Sequence, residues 1–142
     1  MKRETRLRLS KKQRRGAAAV EFAMVAPVFF LLLFGMVEHG RMVMVQQLLT
    51  NATREGARQA VLDGSTTEAV KDVVEQYLAN SKITVQRDDI TVTPTPSATA
   101  FGDPINVTVS TPFTEVSWLP SPLFLGATEL QASSVMRRET AQ

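Results

Sequence analysis

The spacing of apolar residues changes along the chain from continuous, to helical, to alternating. From Ala17 to Val37 nearly every position is apolar: the run reads GAAAVEFAMVAPVFFLLLFGMV from Gly16, and Glu21 is its only ionisable residue. At about 1.5 Å per residue, a helix of this length reaches roughly 30 Å, the thickness of a bilayer core. Beyond it the apolar positions thin to spacings of three and four: Val45, Leu48, Leu49, Ala52, Gly56, Ala57 and Ala60. That spacing is one face of an amphipathic helix, and Arg41, Gln47, Asn51, Arg54, Glu55 and Arg58 fall mostly on other positions. The pattern predicts one long helix from Ala17 to about Leu62, stopped by Gly64 after Asp63. Pro27 removes a backbone donor inside the run and is expected to kink or loosen it, and Gly35 and Gly40 are further weak points.

Ser65-Thr-Thr-Glu68 has the spacing of a capping box. Ala69, Val70, Val73, Val74, Tyr77 and Leu78 follow as the stripe of a short helix ending near Asn80. Then the period becomes two. Ile83/Val85, Ile90/Val92 and Ile105/Val107/Val109 alternate with polar residues, as half-buried strands do. Pro94, Pro96, Gly102, Asp103 and Pro104 mark a loop between the second and third of these. Thr111 to Gly126 reads as an irregular covering loop whose Phe113, Trp118, Leu119, Leu123 and Phe124 fill the core edge, and a last strand is expected from about Glu129 to Met136. The fold class is α+β: a long N-terminal membrane helix, a short helix and a small antiparallel sheet of three or four strands.

Charge adds a direction to this picture. Residues 1–16 carry eight basic residues against Glu4, a net +7 that leaves −5 for the remaining 126 residues, so the pI of 9.3 belongs to the leader. Lys11, Lys12, Arg14 and Arg15 stand directly before the apolar run, the arrangement that keeps an N-terminus in the cytoplasm and sends the rest across. A nucleic-acid-binding arm would need aromatic or base-reading partners, and residues 1–16 contain no aromatic residue. The chain thus divides into a cytoplasmic leader (1–16), a membrane half-helix (17–37), an amphipathic half-helix (38–64) and a small α+β extracytoplasmic domain (65–142).

An ordinary secretory signal places small residues after an apolar stretch of about 7–15 residues. Here Gly16, Ala17, Ala18 and Ala19 precede the stretch, which suits cleavage at the cytoplasmic face between Gly16 and Ala17. Cleavage there makes Glu21 the fifth residue, able to pair with the free amine of a neighbouring helix and fix its axial register. The bland alternative is a tolerated charge near the helix end. Other chemistry finds little support. The chain has no cysteine and a single histidine, His39 beside Glu38, so no disulfide framework, serine triad or His–His metal pair can be assembled. Asp88, Asp89 and Asp103 match no calcium-binding loop, and the sequence contains neither a phosphate loop nor a nucleophile elbow. No enzyme, cofactor, nucleic acid or small-molecule substrate is expected.

The stretch GAAAVEF, Gly16 to Phe22, resembles the processing site of Flp-type (tight adherence, Tad) prepilins, where glycine is followed by glutamate and an aromatic residue. RRGAAAVEFAMVAPVFFLLLFGMVEHGR, ATREGARQAV (Ala52 to Val61) and LQASSVMRRE (Leu130 to Glu139) are similar to the TadE-like pseudopilins. The resemblance implies a minor pilin-like component of the Flp/Tad pilus system in the inner membrane, with its C-terminal domain outside. A prepilin peptidase would cut after Gly16, and Glu21 and Phe22 would be the assembly pair; Phe22 stands where Flp pilins usually carry tyrosine. Implied partners are the major Flp pilin, a sister pseudopilin, the inner-membrane assembly platform and, through it, the assembly ATPase. The alternatives are an uncleaved single-pass anchor presenting a periplasmic binding domain and a tethered periplasmic enzyme.

Overall fold

The computed structural model describes residues 11–119 and 121–138 of the chain, without the side chains of residues 11–15. Residues 1–10 of the expected leader, and the side chains of Lys11, Lys12, Arg14 and Arg15, therefore lie outside the described residues. The element order is α1 (Lys11–Ala60), α2 (Thr67–Asn80), β1 (Ile90–Thr93), β2 (Pro104–Pro112), α3 (Phe113–Val116) and β3 (Glu129–Arg137), with short 3-10 turns at Arg87–Asp89 and Pro96–Ala98. This is a long apolar helix, a shorter helix and a three-stranded antiparallel sheet, a mixed α+β architecture. The described residues fall into two compact units, one up to Met36 and one from Val37 onward.

In the second unit the C-terminal part of α1 and the whole of α2 cover one face of the sheet. The expected helical face is the buried one: Val45, Leu49, Ala52, Ala57 and Ala60 from α1 meet Val70, Val74 and Leu78 from α2. The strands form a meander in the order β1-β2-β3. Ile90 faces Val109 and Val92 faces Val107 across one antiparallel pair, and Val109 faces Ala132 and Thr111 faces Leu130 across the other. Because strand side chains alternate, Ile105, Val107, Val109, Leu130 and Ala132 all turn inward. On the outer face Thr108 Oγ1 donates to Ser133 Oγ at 3.1 Å, and Ser133 donates to Asn106 Oδ1 at 2.6 Å.

Gly56 makes the helix–sheet approach possible. A Cβ at this position would lie 2.5 Å from Val74 Cγ2 and 3.3 Å from Val107 Cγ1, so only hydrogen fits where α1, α2 and β2 meet.

Four local expectations need correction. Helix α1 ends at Ala60 and the chain turns through Val61–Gly64, with Gly64 at φ 73°. The cap of α2 is Thr66, one residue later than the expected Ser65; its side chain accepts from the Ala69 amide at 3.2 Å. Glu68 is consequently one position too early to close a capping box, and it pairs with Arg87 instead, while Ser65 Oγ is buried with no partner among the described residues.

The Ile83/Val85 segment is no strand. Lys82 adopts φ 56° and closes the end of α2, with the Ile83 amide donating to Leu78 O at 3.0 Å and the Lys82 amide to Ala79 O at 2.9 Å. This is a Schellman termination whose hydrophobic contact is Ile83 on Leu78, so burial of alternate residues here reflects a helix stop. Finally, of the residues expected to fill the core edge, Phe113 is buried and Leu119 is half-buried, whereas Trp118, Leu123 and Phe124 are exposed; Val116 and Leu125 pack on the core in their place.

Candidate functional site

The first unit contributes the apolar part of α1. Residues 16–34 are exposed except for Ala26, which is half-buried, and helix assignment runs unbroken through Pro27. Val20, Met24, Val28, Phe29, Leu32 and their neighbours present an apolar surface left uncovered among the described residues. By length and composition this one helix could span a membrane, because a helix satisfies its own backbone hydrogen bonds and offers lipid only side chains. Glu21 is an exposed carboxylate on that surface and pairs with no cation among the described residues, and Phe22 beside it is 70 % exposed. Gly16 is helical, and a Cβ there would meet nothing within 4 Å among the described residues.

The second unit holds a polar arrangement that the pattern of the sequence does not predict. Glu38, one residue beyond the apolar run, is 1 % exposed. Its carboxylate accepts three successive backbone N–H groups from the loop before β3: Leu123, Phe124 at 3.0 Å and Leu125 at 3.3 Å. Three donors converging on one carboxylate replace the water it loses, which is what makes a buried charge tolerable. One turn on, Arg41 Nε donates to Val116 O at 2.7 Å, and its guanidinium lies 4.8 Å from the centroid of the Trp118 ring. Burial pushes the Arg41 pKa below its ordinary value, yet a guanidinium stays charged at any physiological pH. Glu38 and Arg41 thus form a clasp on the segment Val116–Leu125.

Further along α1, Gln46 Nε2 donates to Gln131 O at 2.7 Å, and Thr53 Oγ1 and Ser134 Oγ share a hydrogen bond of 2.9 Å. The polar positions of α1 therefore hold the C-terminal strand, joining the ATREGARQAV and LQASSVMRRE stretches in space. Within REGAR, Arg58 pairs with Glu55 at 2.6 Å on the surface, while Gly56 and Ala57 face the core.

Of the sequence-predicted residues, Gly16, Ala17, Glu21 and Phe22 lie within one helical stretch, as their spacing requires. His39 is exposed, and no group of three or more metal-ligating side chains occurs among the described residues. Asp88 and Asp89 lie in the 3-10 turn beside Arg87, which bonds Glu68, Asp72 and Glu75. The hydrogen bonds to Asp72 and Glu68 hold the Arg87 pKa above its usual value. A groove of about 540 Å³ between α1 and β3, lined by residues including Met42, Gln46, Thr50 and Leu130, contains no carboxylate, histidine or nucleophile–base set.

Comparison with curated proteins returned no match, and neither did comparison with solved structures. Residues 16–58 match the family model described as TadE-like protein. That stretch carries the exposed apolar surface with Glu21, both clasp residues, and the glycine at which α1 meets α2 and β2. The chain therefore contains a segment, Gly16 to Arg58, that is similar to the TadE-like family.

Proposed function

We propose that this chain is a minor pseudopilin of a Flp/Tad-type pilus, made as a precursor and cut between Gly16 and Ala17 by a membrane-embedded prepilin peptidase. Carrying the reading is the apolar surface of α1, broken only by Glu21, within a stretch that matches the TadE-like family. Before assembly that surface is covered by lipid, with the basic leader, including Lys11, Lys12, Arg14 and Arg15, in the cytoplasm and the second unit outside. During assembly it is covered by the apolar helices of other subunits. The function is structural, without catalysis or cofactor.

Glycine in a helix interior costs about 1 kcal/mol relative to alanine, and at position 16 no contact among the described residues requires it. A peptidase that needs an extended, unobstructed backbone at the cut supplies a reason for it. Cleavage then creates a cationic amine at Ala17. Glu21 of one subunit pairs with that amine on the next, neutralising both charges in a low-dielectric bundle and setting the stagger of the helices. Phe22 packs beside the pair. Partners in this reading are the peptidase, the major Flp pilin, a sister pseudopilin and the inner-membrane platform with its ATPase.

Mass spectrometry of the N-terminus in the membrane fraction, with and without the peptidase, tests the proposal. The expected product begins at Ala17 only when the peptidase is present. An intact Met1 in the functional pool would overturn processing and leave an uncleaved anchor that displays a periplasmic binding domain.

A further inference from the structure

The geometry points to a second membrane contact: the loop Ser117–Thr128 lies in the lipid headgroup layer on the outer side of the bilayer, with Trp118, Leu123 and Phe124 as its anchors. This inference rests on reading Ala17–Val37 as the membrane span. Four observations carry it.

First, the loop is bound to α1 at Glu38 and Arg41, the first and fourth residues after Val37. With a rise of about 1.5 Å per residue these attachment points fall within about 6 Å of the end of the apolar run. The headgroup layer on each side of a bilayer is roughly 5–8 Å thick, given a hydrocarbon core of about 30 Å within a total of about 40–45 Å. Second, Trp118, Leu123 and Phe124 are 64 %, 53 % and 61 % exposed, although each belongs to a loop anchored by backbone or ring contacts. Tryptophan is the residue most at home at this depth, because its ring is apolar and its N–H can stay hydrated.

Third, the twelve residues from Ser117 to Thr128 include no charged side chain, in a chain that is 21 % charged. No side-chain charge in the loop opposes leaving bulk water. Fourth, its backbone is prepared for that environment. Pro120 and Pro122 carry no N–H. The Leu119 amide donates to Ser117 Oγ at 3.1 Å, and the Leu123, Phe124 and Leu125 amides donate to Glu38. Across the loop the Trp118, Ser121, Gly126 and Ala127 amides have no partner among the described residues and need headgroup water, while the stretch from Pro122 to Leu125 that carries Leu123 and Phe124 leaves none unpaired; unpaired amides are what exclude a loop from apolar surroundings. The clasp thus does two things: it removes donors from the loop and fixes the loop at the level of the membrane surface.

Trp118 is the only tryptophan and the chain has no cysteine, so the full-length protein carries its own probe and accepts a second one. The protein is reconstituted in phosphatidylcholine–phosphatidylglycerol vesicles at low protein density, with an environment-sensitive fluorophore on Leu32→Cys in the middle of the run. Bromine is placed on the lipid acyl chains either near the headgroup or near the terminal methyl. The expected result is blue-shifted Trp118 emission, lost to the shallow bromine and spared by the deep one, with the Leu32→Cys probe in hydrocarbon. Leu123→Asp/Phe124→Asp is expected to return Trp118 to red-shifted, acrylamide-accessible emission without moving the Leu32→Cys signal. Water-exposed Trp118 with a hydrocarbon-buried Leu32→Cys probe would overturn the loop contact and leave the span intact. A water-exposed Leu32→Cys probe would overturn both. Shielding of Trp118 that appears only as protein density rises would assign the loop to a second copy of the chain and refute the lipid contact.

Discussion

The tight helix–sheet approach at Gly56 yields a prediction with a sign that differs between two glycines on the same helix. At Gly56 an added Cβ would sit 2.5 Å from Val74 Cγ2, 3.3 Å from Val107 Cγ1 and 3.5 Å from Val70 Cγ1. Carbon atoms prefer about 3.5–4.0 Å, so Val74 must retreat by roughly 1 Å. As a β-branched residue in a helix it has one strongly preferred rotamer and cannot swing aside. Overpacking of this kind costs about 1–3 kcal/mol, against a propensity gain of about 1 kcal/mol for replacing glycine in a helix. Gly56→Ala is therefore expected to destabilise by up to about 2 kcal/mol. At Gly40 the added Cβ meets nothing within 4 Å, only the gain survives, and Gly40→Ala should stabilise by about 1 kcal/mol. The assay is thermal unfolding of the full chain in detergent, followed by circular dichroism and protease resistance, where 1 kcal/mol moves the midpoint by about 4–8 °C for a domain of 60–100 residues. Val74→Ala alone creates a cavity, but combined with Gly56→Ala it makes room for the new methyl, so the double variant should be more stable than additivity allows by at least about 1 kcal/mol. Equal stabilisation by Gly56→Ala and Gly40→Ala, or a coupling of zero with Val74, would refute the close approach of α1 to α2.

Three further substitutions probe other local features. Lys82 occupies the left-handed region at the end of α2, so Lys82→Gly should raise stability by about 1 kcal/mol in urea unfolding, and a loss would contradict the Schellman geometry. Thr111 Oγ1 is buried without a partner among the described residues; Thr111→Val keeps the shape, removes that atom and should stabilise by about 1 kcal/mol in the same titration. Glu38→Ala strands the three amides it serves and should cost about 2–3 kcal/mol, opening the loop near Leu123 to limited proteolysis; wild-type resistance would show that the clasp is dispensable.

What could be read in the sequence follows from where each residue finds its partners. The buried faces of α1 and α2 were legible because they depend on spacing alone: Val45, Leu49 and Ala52, and Val70, Val74 and Leu78, are each separated by three or four residues. Strands β1 and β2 were legible for the same reason with a period of two. Ile83 and Val85 share that period, but Lys82 adopts the left-handed conformation that ends α2, usually the work of glycine, and the alternation then describes a turn packed on the core. The capping position slipped by one because Ser65, Thr66 and Thr67 are all competent caps, and only tertiary packing decides which hydroxyl reaches the first amides. Trp118, Leu123 and Phe124 are hydrophobic enough to suggest core residues. Their loop is held instead by side chains about eighty residues earlier in the chain, Arg41 at Trp118 and Glu38 at Leu123 and Phe124.

The two glutamates of α1 show where residue reasoning succeeds and where it needs coordinates. Glu21 is conspicuous in the sequence because everything around it is apolar, and it is exposed, with no cation beside it among the described residues. Glu38 is inconspicuous, standing among His39 and Arg41 as any surface acid would, yet it is the one buried in the fold. Its signal in the sequence is an acid and a base three residues apart directly after an apolar run. That spacing puts both on one helix face, but Glu38 and Arg41 do not pair with each other; each takes a separate part of the same distant loop. A carboxylate with three internal donors has its requirements met within the chain, so its replacement should be felt as instability wherever the protein resides. A carboxylate with none must meet its requirements elsewhere, in headgroups, water or another subunit. Replacing Glu21 should leave folding of the second unit untouched and act only on incorporation into an assembly. That separation, normal unfolding with failed incorporation for Glu21→Ala and the reverse order of effects for Glu38→Ala, distinguishes a residue kept for the fold from one kept for a partner.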